Sequence, residues 1–295
     1  MAGMRIDAHH HLWDLKAVSY PWLEAKGESR FFGDPASIQR NYILDEFRQD
    51  ASAAKAKGSV HIQVGAADGL QEALWVQKVA MSNLDWPLKQ VVFCDLTSSN
   101  LKNQLDQFQS LSSVVGVRQI VGRAPGEDTA TGTQALLSDR RFVAGLHEVA
   151  ARGLSFDLQL IPELMEKAGS LLSEVSELKV ALCHAGSPHD RSPSGLQFYA
   201  KELTSLSMNP NVVCKISGLG MFDHDWTAKS VKPFFTECLT QFGAERLMFG
   251  SNFPVDSLSS TYHQLVSRHS ELIEEISASQ RDQFWGGTAK EFYGF

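Results

Sequence analysis

The sequence predicts a single (β/α)8 TIM barrel, one domain over residues 1–295, and three observations carry that prediction. Eight short, β-branched apolar runs recur along the whole chain with longer amphipathic stretches between them. Nearly every run ends on a polar side chain, as the mouth of a barrel requires and the two helix-covered faces of a doubly wound sheet do not. No Gly-x-Gly-x-x-Gly follows the first run, which argues against a dinucleotide-binding sheet.

In chain order the strand-like runs are residues 4–11, 59–65, 90–96, 114–121, 154–160, 179–184, 211–217 and 246–251. Helical periodicity fills 44–57, 70–83, 135–152, 162–175, 195–206 and 228–242, with Pro162 just inside one helix start and Gly153 just past a helix end. The polar strand ends are His9 and His11, His61 and Gln63, Asp95, Arg118, Asp157 and Gln159, His184, Lys215 and Asn252. Alternation puts His9 with His11, His61 with Gln63 and Asp157 with Gln159 on shared faces. The irregular segments 12–43, 122–133, 186–194, 218–226 and 252–259 all follow strands, on the side where a barrel keeps its functional loops. They are rich in Trp, Phe, Arg and Asp and suit a small polar ligand. Trp13, Trp22, Phe31, Phe32, Phe222 and Trp226 are candidates for its aromatic wall.

Composition narrows the function classes. With 43% hydrophobic and 21% charged residues the chain can bury a large core. Its 27 basic against 34 acidic side chains, net −7, contain no Lys/Arg block, so nucleic acid is not an expected partner. No apolar run approaches the roughly 18–20 residues that cross a bilayer, so no membrane partner is expected. Three histidines occupy the place where a signal peptide needs apolar residues. Cys94, Cys183, Cys214 and Cys238 form no C-x-x-C, and three lie in apolar runs. Together these predict a cytoplasmic protein with reduced thiols and no thiolate zinc site. Oligomeric state is not legible.

Three groups of residues point to chemistry. His9 and His11, two apart on a strand, can present two imidazoles to one metal ion while His10 turns outward; the bland alternative is a chance cluster or tag remnant. His184 ends an apolar strand and precedes Ala185-Gly186, a placement suited to metal ligation or acid–base work, against the alternative of a core histidine bonded to a carbonyl. Arg118 and Lys215 are cations at strand ends, able to face a substrate or to pair with Asp95 or Asp157 inside the barrel. Gln63 and Gln159 are neutral candidates for substrate contact.

Five ordered motifs carry a family resemblance: Ile6-Asp7-Ala8-His9-His10-His11-Leu12-Trp13-Asp14, Gly116-Val117-Arg118, Leu182-Cys183-His184-Ala185-Gly186, Cys214-Lys215-Ile216-Ser217-Gly218 and Arg246-Leu247-Met248-Phe249-Gly250-Ser251-Asn252-Phe253-Pro254. In these the chain resembles the amidohydrolase-related TIM-barrel hydrolases, specifically their sugar-acid lactonase branch, from about residue 4 to the C-terminal Phe284–Tyr293 segment. The resemblance implies hydrolysis of a carbon–oxygen ester bond in a small lactone. It implies a divalent metal, zinc first, held by His9, His11 and His184, or His9 and His11 as polarisers of the substrate carbonyl instead, with His184 and Asn252 at the catalytic positions and Arg118 and Lys215 facing the substrate.

One departure bears on all of this. The family motif usually reads Gly-Ser-Asp-Trp-Pro, and its aspartate takes the proton of the attacking water and stands beside the metal. This chain carries Asn252 there, a neutral amide with no basic oxygen near neutral pH. Asp256, four residues on, is the nearest other carboxylate in sequence. Three outcomes stay open: lactone hydrolysis with His184 as base, metal-free chemistry including lactone isomerisation, and a small-molecule binding barrel without turnover.

Overall fold

The computed structural model describes residues 3–295. Eight parallel strands form one sheet in sequential order: β1 (Asp7–His10), β2 (Ser59–Ile62), β3 (Leu88–Phe93), β4 (Val114–Arg118), β5 (Ser155–Leu158), β6 (Val180–Leu182), β7 (Val212–Ile216) and β8 (Leu247–Phe249). The seam between the last strand and the first is closed just beyond β8, where His11 N–H donates to Phe253 O and Asn252 N–H to His9 O, both at 2.7 Å. This is the (β/α)8 barrel that the sequence predicts.

The strands are nearly continuous apolar runs because a parallel barrel is covered on both faces. Ile6, Ala8, Val60, Ile62, Val91, Ala181, Val213 and Met248 fill its interior. The helices bury apolar stripes against the outside; Arg140–Ala151 uses Phe142, Gly145, Leu146 and Val149, at helical spacing. Asp139 caps that helix by accepting from Arg141 N–H, so the regular helix starts later than the predicted 135, after a 3-10 turn over Thr133–Ser138. Helices over Leu101–Gln109, Tyr262–Leu272 and Thr288–Tyr293 lie outside the predicted segments, and Pro125–Thr131 is helical within a predicted loop. The C-terminal helix closes the floor of the barrel, Ala289 and Tyr293 joining the interior cluster.

A register shift in β1 sets up the site. Asp7 pairs with Ser59, but His10 pairs with His61, so β1 carries one residue more than β2 between those points. Ala8 faces the interior with Ile6; after the bulge His9 faces His184, and His10 turns out to stack on Phe47 at 3.7 Å. Two polar strand ends do not face the mouth as expected. His61 Nδ1 accepts from Leu12 N–H and its Nε2 lies 3.5 Å from Glu72 of the covering helix Gly69–Ser82, because Val60 and Ile62 take the inward positions of β2. Asp95 lines an outer groove with Thr97 and Arg141. Among the described residues no helix is long and apolar enough to cross a membrane.

Candidate active site

A cavity of about 280 Å³ opens at the C-terminal ends of the strands. His11, Arg118, Gln159, His184 and Asn252 reach it from the ends of β1, β4, β5, β6 and β8. Trp22, Phe31 and Phe32 supply an aromatic wall. Of the other predicted wall residues, Trp13 and Trp226 are fully buried and Phe222 stacks behind Phe31 at 5.5 Å. Two cavity residues other than glycine sit in the left-handed region, His184 at φ 56° and Asn252 at φ 56°. Side chains avoid that conformation except where surrounding structure enforces it, often at functional sites. After β6 the chain stays left-handed through Ala185, Gly186 and Ser187, and this turn aims His184 across the barrel mouth. Gly218 is required beside it: a Cβ there would lie 2.5 Å from His184 Nδ1.

The imidazoles are held neutral. Burial first, then the charge of Arg118, lowers His184 well below its ordinary value, and the same two causes bring His11 down to about 3. His184 Nδ1 is engaged by Ser217 Oγ at 3.1 Å, and its Nε2 has no hydrogen-bond partner among the described residues. His11 Nδ1 lies 2.8 Å from Ile62 O, and its Nε2 lies 3.2 Å from Asn252 Oδ1. The Arg118 guanidinium donates to Gln159 Oε1 at 3.0 Å and to the backbone carbonyl of Gln63. Its Nε is buried and unpartnered, and no carboxylate pairs with it among the described residues. Arginine keeps its charge in such surroundings, so the cavity wall holds a buried cation in need of an anion.

Two predicted substrate contacts are corrected. Lys215 lies wholly buried below the cavity, its ammonium 2.5 Å from Asp157 Oδ2 and 2.7 Å from Ala8 O, over the Tyr293 ring. The alternative weighed from sequence, pairing with Asp157, is what the interior position of β7 enforces. The side chain of Gln63 turns back to accept from Gly65 N–H, and only its carbonyl serves the site, through Arg118.

The predicted metal set of His9, His11 and His184 meets at one rim, with the His9 ring centroid 5.2 Å from that of His11 and 4.4 Å from that of His184, but its ligand atoms do not all come within 4.8 Å of one another. The one group of three potential ligand atoms within 4.8 Å of one another, among the described residues, is His9, Asp157 and Cys183, not His9, His11 and His184. That group does not suit a divalent ion. Asp157 is already taken by Lys215 and by the Tyr293 hydroxyl, and burial pushes the Cys183 thiol up to about 12, far from the thiolate that metals need. Both ring nitrogens of His9 are buried without partners, which leaves the neutral ring one donor and one acceptor for water or ligand.

Sequence reasoning missed several participants. Ser217 and the Ile62 carbonyl fix ring orientations, and only the barrel brings them near the imidazoles. Asp256 is buried, accepts from Asn252 Nδ2 at 2.7 Å, and burial pushes its carboxyl up to about 7. Arg30 and Arg123 line the outer cavity, both close to Glu127. Asp256 itself is legible in sequence as the nearest other carboxylate, four residues after Asn252; its inward orientation and its contact with the Asn252 amide are not.

The amidohydrolase family model matches residues 6–295. The uncharacterized protein y4mH of Sinorhizobium fredii is 33% identical over 98% of this chain and 97% of its own length. An L-fucono-1,5-lactonase of Burkholderia multivorans is 26% identical over 99% and 97%. An amidohydrolase of the same organism, solved with bound HEPES, superposes with a TM-score of 0.85 at 25% identity over 99% of this chain and all of that one. A second crystal form, with bound zinc, gives 0.84 at 24% over the same shares.

Proposed function

Because the chain belongs to the amidohydrolase family, we propose that it hydrolyses the carbon–oxygen ester bond of a small lactone, a sugar-acid lactone being the substrate class its similarity to lactonases favours. The observation that carries this reading is the buried, carboxylate-free guanidinium of Arg118 beside the neutral imidazole of His184 in one aromatic-walled cavity. A neutral ester enters such a cavity without the cost of burying a charge, and the charge that develops on its carbonyl oxygen during attack then meets Arg118.

The chemistry uses residues of this chain. Water in the cavity gives a proton to His184 Nε2 as its oxygen bonds to the lactone carbonyl carbon. The carbonyl π electrons move to the oxygen, and the resulting oxyanion faces Arg118. When the tetrahedral carbon collapses, the ring C–O bond breaks, and the leaving alkoxide takes the proton back from His184. The products are one hydroxy acid and a neutral His184. Ser217 holds Nδ1, which keeps Nε2 directed to the cavity. Asn252 offers no base, so proton acceptance passes to the imidazole.

Zinc is bound by a relative of this chain. Of the converging groups of the present chain, Asp157 is engaged by Lys215 and Tyr293 and Cys183 is a protonated thiol, which leaves His9 alone free to ligate, and the proton transfers above run through His184.

The test is turnover of a panel of five- and six-membered aldonolactones by wild type and His184→Asn, with release of acid followed at constant pH. Hydrolysis by wild type and a loss of roughly 10²–10⁴-fold in kcat for the variant is the expected result. Absence of turnover across the panel overturns the reading. Interconversion of ring sizes without net opening, read by proton NMR, identifies an isomerase instead; ligand affinity without turnover identifies a binding barrel.

A further inference from the structure

We propose that Asp256 is a positioning residue: as the neutral acid it donates to the Asn252 carbonyl and turns the Asn252 amide nitrogen toward His11 and the cavity, making Asn252 a donor to the oxyanion. The inference rests on the hydrolytic reading above and adds to it a residue outside the cavity lining.

One buried chain of polar groups runs from Ile62 O through His11 and Asn252 to Asp256, and its donors and acceptors must match at each contact. A carbonyl oxygen only accepts, so the 2.8 Å contact with Ile62 O places a hydrogen on His11 Nδ1. His11 is neutral, so its Nε2 carries a lone pair. Asn252 Oδ1 stands 3.2 Å from that lone pair while Nδ2 donates to Asp256 Oδ1 at 2.7 Å. With an ionised Asp256 this arrangement sets two acceptors against each other at His11. A half-turn of the amide about its Cβ–Cγ bond puts Nδ2 against His11 Nε2 and cures that contact, but then sets the amide oxygen against Asp256 Oδ1. A single proton on Asp256 resolves the second contact, and every pair along the chain then has one donor and one acceptor. The second N–H of Asn252 is left for the cavity that this residue lines.

The surroundings of Asp256 favour that proton. The carboxyl is 3% exposed and its Oδ2 has no partner. The guanidinium on its side of the fold, Arg191, is spent on Asp223 and on the Leu219 carbonyl. His224, in the loop packed against it, is held by Phe32 O, and Arg268 is engaged by Ser260 and by the Trp226 ring. The nearby Gly220 backbone N–H also favours the ionised form without making a hydrogen bond to Oδ2. Burial outweighs these contacts and moves the ionisation to about 7, where a shift in proton occupancy is measurable.

The experiment compares wild type with Asp256→Asn and Asp256→Ser, which donate to Asn252 at every pH. The substrate-free readout is the ¹⁵N resonance of His11 Nε2 from about pH 5 to about pH 9. The catalytic readout is kcat and KM over the same range for a lactone that is turned over. Wild type is expected to show a step in the His11 signal near neutrality and a fall in kcat of roughly a hundredfold on the alkaline side, with KM little changed. Both variants are expected to lose the step and the alkaline limb. A wild-type signal without a step, or the same step in a folded variant, overturns the proposal. If the step is present in wild type and absent in the variants while no lactone is hydrolysed, the positioning role stands and the hydrolytic reading is the one that fails.

Discussion

Replacing Lys215 by Met separates a structural cation from a substrate-binding one. The ammonium and the Asp157 carboxylate are both wholly buried, 2.5 Å apart, with Ala8 O as the second acceptor at 2.7 Å. Removing the ammonium leaves Asp157 with the Tyr293 hydroxyl and a Cys183 Sγ at 3.9 Å, neither of which neutralises it. Breaking a buried pair from one side costs about 3–5 kcal/mol, because the surviving charge stays out of water. For a chain of 295 residues that loss corresponds to a fall in Tm of roughly 5–8 °C. Asp157→Asn keeps an oxygen for Tyr293, and combined with Lys215→Met it leaves no uncompensated charge, so the double variant is expected to recover most of the loss. Chemical unfolding followed by circular dichroism on wild type, both single variants and the double variant gives a coupling energy, expected at about 2 kcal/mol or more. A Lys215→Met protein as stable as wild type but raised in KM would refute the structural assignment and restore Lys215 as a substrate contact.

Other expectations follow from the same geometry. Arg118→Met is expected to lower kcat by about 10²–10³-fold, since it removes the donor facing the oxyanion; steady-state kinetics with folding checked by circular dichroism measures this. Stability should fall as pH drops from 6.5: His11 titrates at about 3 when folded against 6.5 when unfolded, so between those values the unfolded chain binds more protons. His9, His10 and His184 act in the same direction, and Tm measured against pH should fall steadily through the acid range. Asp256 has the opposite sign: raised from 3.8 to about 7, its contribution is complete below 3.8 and is lost as pH rises through 7, so it offsets part of the histidine effect in that window and Asp256→Asn should steepen the fall of Tm between about pH 7 and pH 4. Dialysis against a chelator should leave turnover unchanged and metal content well below one equivalent; full loss of activity with recovery on adding zinc would show that the His9 neighbourhood rearranges to hold a metal.

The barrel and the end of it that carries the site follow from the sequence alone, because both rest on periodicity. Apolar runs of strand length separated by amphipathic stretches admit few topologies, and side-chain alternation pairs His9 with His11 without further information. His184, Arg118, Gln159 and Asn252 were likewise legible as strand-end polar groups, and all four reach the cavity. Alternation fails where a polar strand residue faces depends on which neighbour takes the inward place. His61 and Gln63 lie on the outward phase of β2, and Lys215 sits one layer too deep, where its only acceptors are Asp157 and a carbonyl. The bulge that lets both Ala8 and His9 face inward is a register shift between two strands, which neither strand encodes by itself. The protonation of the site is decided by tertiary structure for the same reason: the sequence supplies the titratable groups, but their dehydration and the distance from His11 to Arg118 or from Asn252 to Asp256 exist only when the strand ends are brought together at one rim.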